Sequence, residues 1–165
     1  MNTSPTTRRR LIIDCDPGHD DFAAIALAVM SGAFDIKAIT AVCGNAPLAR
    51  TSANALAIAD ALGTAIPVHA GAVAPLIHRY EFPAAFHGVT GLDSTGATLP
   101  PPRRALAPGH AALEILARVN AAPGYDQRAF DPAATPGQWR LLASPDGARG
   151  SIAIRQQASL LATVV

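Results

Sequence analysis

This sequence lacks an excess of charge of either sign, because its 13 Lys and Arg residues balance 12 Asp and Glu residues and leave a net charge of +1. A nucleic-acid-binding surface or a solvated acidic tail requires a strong bias of one sign, so this balance argues against both. The three arginines at 8–10 follow a polar opening, and we expect residues 1–10 to form a frayed N-terminal tail. A small polar molecule fits this composition better as a ligand.

The sequence also lacks a long hydrophobic run and has little cysteine. The apolar residues 11–13 are interrupted at once by Asp14, which argues against a secretory signal, and no segment approaches membrane-spanning length. Cys15 and Cys43 lie in apolar runs that predict strands, where a free thiol behaves as a small hydrophobe. We therefore expect no disulfide, no membrane association and a cytoplasmic location.

The first seventy residues alternate between strand and helix patterns. Strands are predicted at about 11–16, 36–42 and 67–70, and helices at about 20–30 and 51–62. This order predicts an α/β fold with a parallel, Rossmann-like sheet flanked by helices. Ligands of such sheets bind beyond the carboxyl ends of the strands, where Asp16 and Asn45 fall.

The rest of the chain gives a weaker pattern. Residues 73–108 are rich in Pro and Gly and predict a long loop, which in a compact domain is usually functional or disordered. A helix is predicted at 109–119, a strand at 139–143 and a turn at 144–147, whereas 152–165 have mixed periodicity.

Four acidic residues lie close together across the predicted Pro17-Gly18 turn: Asp14, Asp16, Asp20 and Asp21. Carboxylates packed this closely repel one another unless a cation joins them, and ligands that are all oxygen suit a hard ion such as calcium or magnesium. Asp20 taken alone is explained as a helix N-cap. The N-cap explanation does not extend to the whole group, because Asp14 and Asp16 are embedded in an apolar strand, where an unpaired charge would be costly.

Two other known motifs also contain closely spaced aspartates. An EF-hand loop that begins at Asp14 would need Glu at its twelfth position, where Ile25 stands, so this motif is excluded. A phosphatase of the haloacid dehalogenase type also places two aspartates at the end of its first strand. Those enzymes typically carry Thr or Val where this chain has Gly18, and the phosphatase remains the alternative.

Three segments, in order, carry a resemblance to a known family. Residues 14–21 (DCDPGHDD) resemble the N-terminal signature of the inosine-uridine preferring nucleoside hydrolases, 42–45 (VCGN) their second-strand motif and 87–92 (HGVTGL) their third motif. The resemblance covers about residues 10–123. It implies cleavage of the N-glycosidic bond of a small-molecule ribonucleoside, which gives ribose and a free nucleobase.

Carried over by position, the resemblance implies that Asp16 and Asp21 bind Ca²⁺. Asp16 would also be the catalytic base that takes a proton from metal-bound water, and Asp14 would support the loop from behind. An anionic cluster of this kind suits the oxocarbenium-like transition state of ribosyl transfer, because it stabilises positive charge that develops on the sugar.

The same resemblance implies substrate-binding residues. Asp20 and Asn45 would hold ribose hydroxyls, and His87 would lie near the nucleobase, with an ordinary loop histidine as the alternative for His87. His19, His69, His78 and His110 receive no functional role and are expected at surface or packing positions.

The resemblance ends beyond about residue 122, a change that a frameshift or a truncated reading frame would produce. Members of this family are about twice as long, and the resemblance implies that the remaining ligands, including a late histidine and aspartate, come from a part that has no counterpart here. We therefore divide the chain into a tail (1–10), a nucleoside hydrolase-like region (11–123) and a divergent segment (124–165). A non-catalytic remnant that binds ribose or calcium is therefore an alternative function. An incomplete sheet would also expose strand edges and apolar helix faces, which favours association into a homo-oligomer.

Overall fold

A computed structural model describes residues 8–75, 77, 79–82, 84–93 and 98–121, together with the backbone of four short strands between 141 and 164. Most of the predicted tail, His78, the turn at 144–147 and most of the divergent segment lie outside these described residues. Among the described residues, no helix has the length and apolar character that a membrane crossing requires.

The first half of the described chain forms a parallel β-α-β-α-β unit, as predicted. The elements in chain order are β1 (Arg9–Cys15), α1 (His19–Met30), β2 (Phe34–Ala41), α2 (Leu48–Ala61) and β3 (Val68–Ala70). Strand β2 lies between β1 and β3 and pairs with each in parallel, with Ile39 opposite both Ile13 of β1 and Val68 of β3.

Several of these boundaries differ by one to three residues from the sequence-based prediction. Strand β1 begins at Arg9, within the predicted tail, because backbone pairing with β2 starts there, at Arg9 opposite Phe34. Strand β2 ends at Ala41, so Cys43 lies in the loop beyond it, not in a strand. Both cysteines are free thiols.

One hydrophobic cluster joins the sheet to both helices. Alternate residues of β1, namely Leu11, Ile13 and Cys15, point to the same face and pack with Ile25 of α1 and with α2. Helix α2 contributes two alanines and two larger aliphatic residues to this cluster: Ala55, Leu56, Ile58 and Ala59. This packing fixes the position of α1 and α2 relative to the carboxyl end of the sheet, where the loops that follow β1 and β2 begin.

The segment predicted as a long loop contains a one-turn helix, α3 (Ala84–His87), and α4 (Ala111–Asn120) follows it. Helix α4 begins at Ala111, and the side chain of His110 caps it by accepting the N–H of Ala112 at 3.2 Å. His69 occupies a packing position, as expected, since it is buried in β3 and its Nδ1 donates to the carbonyl oxygen of Pro108 at 3.0 Å.

Four short strands follow: β4 (Leu141–Ala143), β5 (Gly150–Ile152), β6 (Ile154–Arg155) and β7 (Leu160–Val164). β7 pairs antiparallel with β1, which gives a five-stranded sheet in the order β3-β2-β1-β7-β6, while β4 and β5 form a separate pair. The prediction of a parallel sheet is therefore correct for β1 to β3, and the later strands add an antiparallel edge.

Candidate active site

The predicted acidic cluster lies at the carboxyl end of β1, where the chain turns through Pro17 and Gly18 into α1. Asp16 and Asp21 are buried, at 2% and 1% exposure, whereas Asp20 is exposed. Successive residues of a helix point about 100° apart, so only one of the two aspartates that follow His19 can face the sheet edge. In this structure that residue is Asp21.

The loop that follows β2 holds Asp16 through its backbone. The Asn45 N–H donates to Asp16 Oδ2 at 2.7 Å, and Asn45 Nδ2 donates to the Asp16 carbonyl oxygen at 3.1 Å. Gly44 is required beside this contact, because a Cβ at that position would overlap the Asp16 carboxylate. The first and second sequence motifs are therefore brought together, with Asn45 buried against Asp16.

Asp21 is held by the turn that it follows. The N–H of Gly18, the residue that caps α1, donates to Asp21 Oδ2 at 3.3 Å. Each buried carboxylate thus has one oxygen engaged by a backbone donor. The other oxygen, Oδ1 of Asp16 and Oδ1 of Asp21, is buried without a hydrogen-bond partner among the described residues.

The electrostatics of this pair are unfavourable for two carboxylates without a cation. The pKa of Asp16 is raised to about 8, chiefly by burial and next by the charge of Asp21, while the Asn45 hydrogen bond opposes both effects. Burial raises the pKa of Asp21 to about 7, with the charge of Asp20 as the second cause. Unpartnered oxygens on two adjacent acids make a donor set that fits a hard divalent cation.

The described residues do not by themselves form a complete metal site. No group of three or more His, Cys, Asp or Glu side chains that could hold a metal ion occurs within them. Asp14 does not join the pair, since its Oδ1 accepts the hydroxyl of Thr40 on β2 at 2.6 Å. Burial raises the pKa of Asp14, and this hydrogen bond opposes the increase.

His87, from the third motif, lies over the Pro17-Gly18 turn. Its ring stacks on that of His19, with centroids 5.7 Å apart and planes at 20°. A Cβ on Gly18 would be 2.7 Å from His87 Nδ1, so glycine leaves the space that the ring occupies. Nδ1 of His87 is itself buried without a hydrogen-bond partner in the described part of the chain.

Three residues near the turn were not identified from the sequence. His19 was expected at a surface or packing position, and only its contact with His87 connects it to the site. Tyr80 donates its hydroxyl to the carbonyl oxygen of Gly44 at 3.3 Å, and burial raises its pKa. Asn54 of α2 bonds to the turn itself, at the carbonyl oxygen of Pro17. No local sequence signal distinguishes these residues, because each contact joins segments far apart in the chain.

Together, the fold and the site define an α/β protein with a carboxylate pair at the carboxyl edge of its parallel strands. Residues 11–130 match the family model described as "Inosine-uridine preferring nucleoside hydrolase". The chain belongs to the inosine-uridine preferring nucleoside hydrolase family, as its three motifs predict.

Curated relatives agree with this assignment. The chain is 46% identical over 112 residues to the pyrimidine-specific ribonucleoside hydrolase RihA of Photobacterium profundum, an alignment that covers 67% of this chain and 35% of the relative. It is 38% identical over 117 residues to the pyrimidine-specific ribonucleoside hydrolase RihB of Escherichia coli (strain K12), with 71% of this chain and 37% of the relative covered. The chain thus spans little more than a third of these relatives.

Solved structures give the same result for the fold. An inosine-guanosine nucleoside hydrolase (IG-NH) superposes with a TM-score of 0.62 at 36% identity, over 70% of this chain and 36% of that structure. The plant nucleoside hydrolase PpNRh1 superposes with a TM-score of 0.63 at 32% identity, over 71% of this chain and 37% of that structure. The described fold is therefore a partial nucleoside hydrolase fold.

Proposed function

We propose that this chain carries the ribose-binding and metal-binding part of a ribonucleoside hydrolase, an enzyme that cleaves an N-glycosidic bond to give ribose and free base. The observation that carries the proposal is the pair of buried, unpartnered oxygens on Asp16 and Asp21 at the carboxyl edge of the sheet. Membership of the nucleoside hydrolase family and the names of the relatives support the same chemistry.

Asp16 and Asp21 would hold Ca²⁺ through their free oxygens, because carboxylate oxygen is the donor that this ion prefers. When bound, the ion would lower the pKa of water, orient it and clamp the ribose diol. Asp16, with one oxygen fixed by the Asn45 N–H, would accept a proton from the attacking water. The paired carboxylates would stabilise the positive charge that develops on the ribose ring.

The substrate contacts in this proposal come from the rim of the same site. Asp20 is exposed beside the buried pair and would accept hydrogen bonds from ribose hydroxyls, with Asn45 as the second ribose contact. His87 lies over the turn and would face the nucleobase. The two curated relatives act on pyrimidine ribonucleosides, whereas one structural relative is named for inosine and guanosine, so we propose ribonucleosides as the substrate class. Two free cysteines favour the cytoplasm as its location.

A second candidate is a protein that binds ribose or calcium without turnover. It is favoured by one observation, the lack of a third His, Cys, Asp or Glu ligand near the pair within the described residues. The chain also spans only 35% to 37% of its curated relatives. Membership of the hydrolase family leaves the phosphatase alternative without support.

One experiment separates these functions. The 165-residue chain is incubated with Ca²⁺ and uridine, cytidine, inosine or p-nitrophenyl phosphate, and chromatography measures free base while absorbance measures nitrophenol. Base release supports the hydrolase and nitrophenol release the phosphatase. Calcium binding by calorimetry without either product supports the binding protein, and the absence of binding and products contradicts all three.

A matched pair of variants tests the role of Asp16. Asp16→Ala should abolish base release, because both the base and a calcium ligand are lost. Asp35→Ala should leave base release unchanged, since Asp35 is an acid at the other end of β2 that pairs with Lys37 at 2.6 Å. Base release by Asp16→Ala at the rate of the unmodified chain would refute the assignment.

A further inference from the structure

Asn54 lies in the middle of α2, half-buried, and its side chain leaves the helix to bond two separate loops. Its Nδ2 donates to the carbonyl oxygen of Pro17 at 3.0 Å and to the carbonyl oxygen of Thr90 at 2.8 Å. An amide group has two N–H donors, so both are used. Neither loop is a neighbour in sequence, since Pro17 is 37 and Thr90 is 36 positions away.

The chemistry of these contacts requires a neutral side chain with two donors. Two carbonyl oxygens cannot bond to each other, and Pro17 has no N–H with which to bond the loop that carries Thr90. A carboxylate at position 54 would present only acceptors to these oxygens, and an aliphatic side chain would present nothing. The Asn54 amide therefore bridges the turn that bears Asp16 and the loop that bears His87.

The loop between His87 and Asp93 is held together by hydrogen bonds among its own residues. Asp93 Oδ2 accepts the N–H of Val89 at 2.6 Å and the N–H of Thr90 at 3.3 Å, and the Asp93 N–H donates to the His87 carbonyl oxygen at 3.2 Å. The Thr90 hydroxyl also donates to the Asp93 carboxylate. A bond that fixes the Thr90 carbonyl thus also fixes the backbone of His87.

We propose that Asn54 is a positioning residue, which ties the His87 loop to the Pro17-Gly18 turn and thereby holds the His87 ring in its stack on His19 beside the acid pair. The catalytic role of Asn54 rests on the proposed function, whereas the position of the His87 ring rests on the geometry alone.

A purely structural role for Asn54 predicts a different result. Ala is more favourable than Asn inside a helix, whereas the loss of two hydrogen bonds lowers stability, so the two effects partly cancel. Asn54→Ala therefore changes stability only moderately and should fold. If the two hydrogen bonds of Asn54 served only the stability of the fold, their loss would shift the unfolding midpoint and leave the histidine stack in place.

The test measures the histidine rings directly in the 165-residue chain. Proton-carbon NMR spectra are recorded for the unmodified chain, Asn54→Ala, Asn54→Asp and the control Arg50→Ala, which alters an exposed position of the same helix. His19→Ala gives the His87 resonances of an unstacked ring. We expect the His87 ring resonances of both Asn54 variants to move towards those of His19→Ala, while Arg50→Ala matches the unmodified chain.

Two outcomes overturn the proposal. The first is an unchanged His87 spectrum in both Asn54 variants, whatever their unfolding midpoints. The second needs no variant: fast solvent exchange of the Asn54 Nδ2 protons in the unmodified chain, at the rate of an exposed amide, means that neither bond persists. If both variants fail to fold, this exchange measurement decides alone.

Failure of this proposal is distinguishable from failure of the proposed function, because neither measurement uses calcium or a nucleoside. If the chain releases base, the kcat and KM of the Asn54 variants give a second test. Asn54→Ala should lower kcat about tenfold or more with KM changed less, since the displaced His87 would act at the leaving base and not in ribose binding. If Asn54→Ala displaces the His87 ring but keeps the kcat of the unmodified chain, the catalytic role of Asn54 is contradicted. The proposed hydrolysis is unaffected by that result.

Discussion

Replacement of Asp16 by Asn should stabilise the metal-free protein, although it removes the residue assigned as the base. The Asp16 carboxylate is 2% exposed, its Oδ1 has no hydrogen-bond partner in the described structure, and Asp21 lies close enough for its charge to raise the Asp16 pKa. An amide of the same shape removes the charge. Its oxygen can still accept the Asn45 N–H that Asp16 Oδ2 accepts at 2.7 Å.

The size and sign of the effect follow from the raised pKa. Asp16 has a pKa of about 8 in the folded protein against an ordinary value of 3.8, so the folded state holds its proton more tightly than the unfolded state. The stabilising contribution of this proton is fully present below pH 4 and is lost as the pH rises through about 8. Each displacement of a pKa by one unit corresponds to roughly 1.4 kcal/mol. Because relaxation and the coupling to Asp21 reduce the effect, we expect Asp16→Asn to stabilise by on the order of 3 kcal/mol at pH 8 and by almost nothing at pH 4.

Thermal unfolding in the presence of EDTA, followed by circular dichroism from pH 4 to pH 9, measures this difference. A gain of 3 kcal/mol corresponds to a rise in Tm of about 10 °C for a domain of this size. Asp35→Asn, at a half-buried position paired with Lys37, should show no difference that grows with pH. Destabilisation of Asp16→Asn at pH 8, or a gain of equal size at pH 4 and pH 8, would refute the conclusion that Asp16 carries a buried, uncompensated charge.

Two further predictions concern calcium. Binding should release about one to two protons at pH 7, because the raised pKa values of Asp16, about 8, and of Asp21, about 7, keep the pair largely protonated there, and release should fall towards zero at pH 9. Calorimetry in two buffers of different ionisation enthalpy measures this number, and equal heats in both buffers at pH 7 would contradict it. Gly44→Ala should weaken calcium binding at least tenfold, since the added Cβ would overlap the Asp16 carboxylate. Calcium affinity within twofold of the unmodified chain, measured in the same way, would show that this contact does not hold the ligand in place.

Much of the fold could be predicted from local patterns. The apolar run that ends at Asp16, the Pro17-Gly18 turn and the three-and-four spacing of apolar residues after it are local signals, and they correctly gave β1, α1 and their connection. The later part was harder, because a pairing such as Leu160 opposite Cys15 joins segments that no local pattern connects. The one-turn helix at Ala84–His87 is too short for a periodic signal.

The candidate site divides in the same way. The motifs identified Asp16 and Asp21 as candidate ligands, and the structure shows that both are buried at the sheet edge. Asp14 belonged to the same acidic cluster in the sequence, and only the structure shows that its carboxylate accepts the Thr40 hydroxyl. Asn54 gave no signal, because its function depends on two carbonyl oxygens that reach it only in the folded chain.

The sequence by itself determined which residue types are available and where strands must end, since turns, caps and hydrophobic periodicity act over a few residues. Only the tertiary structure decided which aspartate is buried, which oxygen lacks a partner and which histidine lies over the turn. The physical reason is that burial and hydrogen bonding depend on atoms brought together across tens of residues. Asp21 and Asp20 are chemically identical and adjacent, and only the packing of α1 against the sheet makes one of them buried and the other exposed.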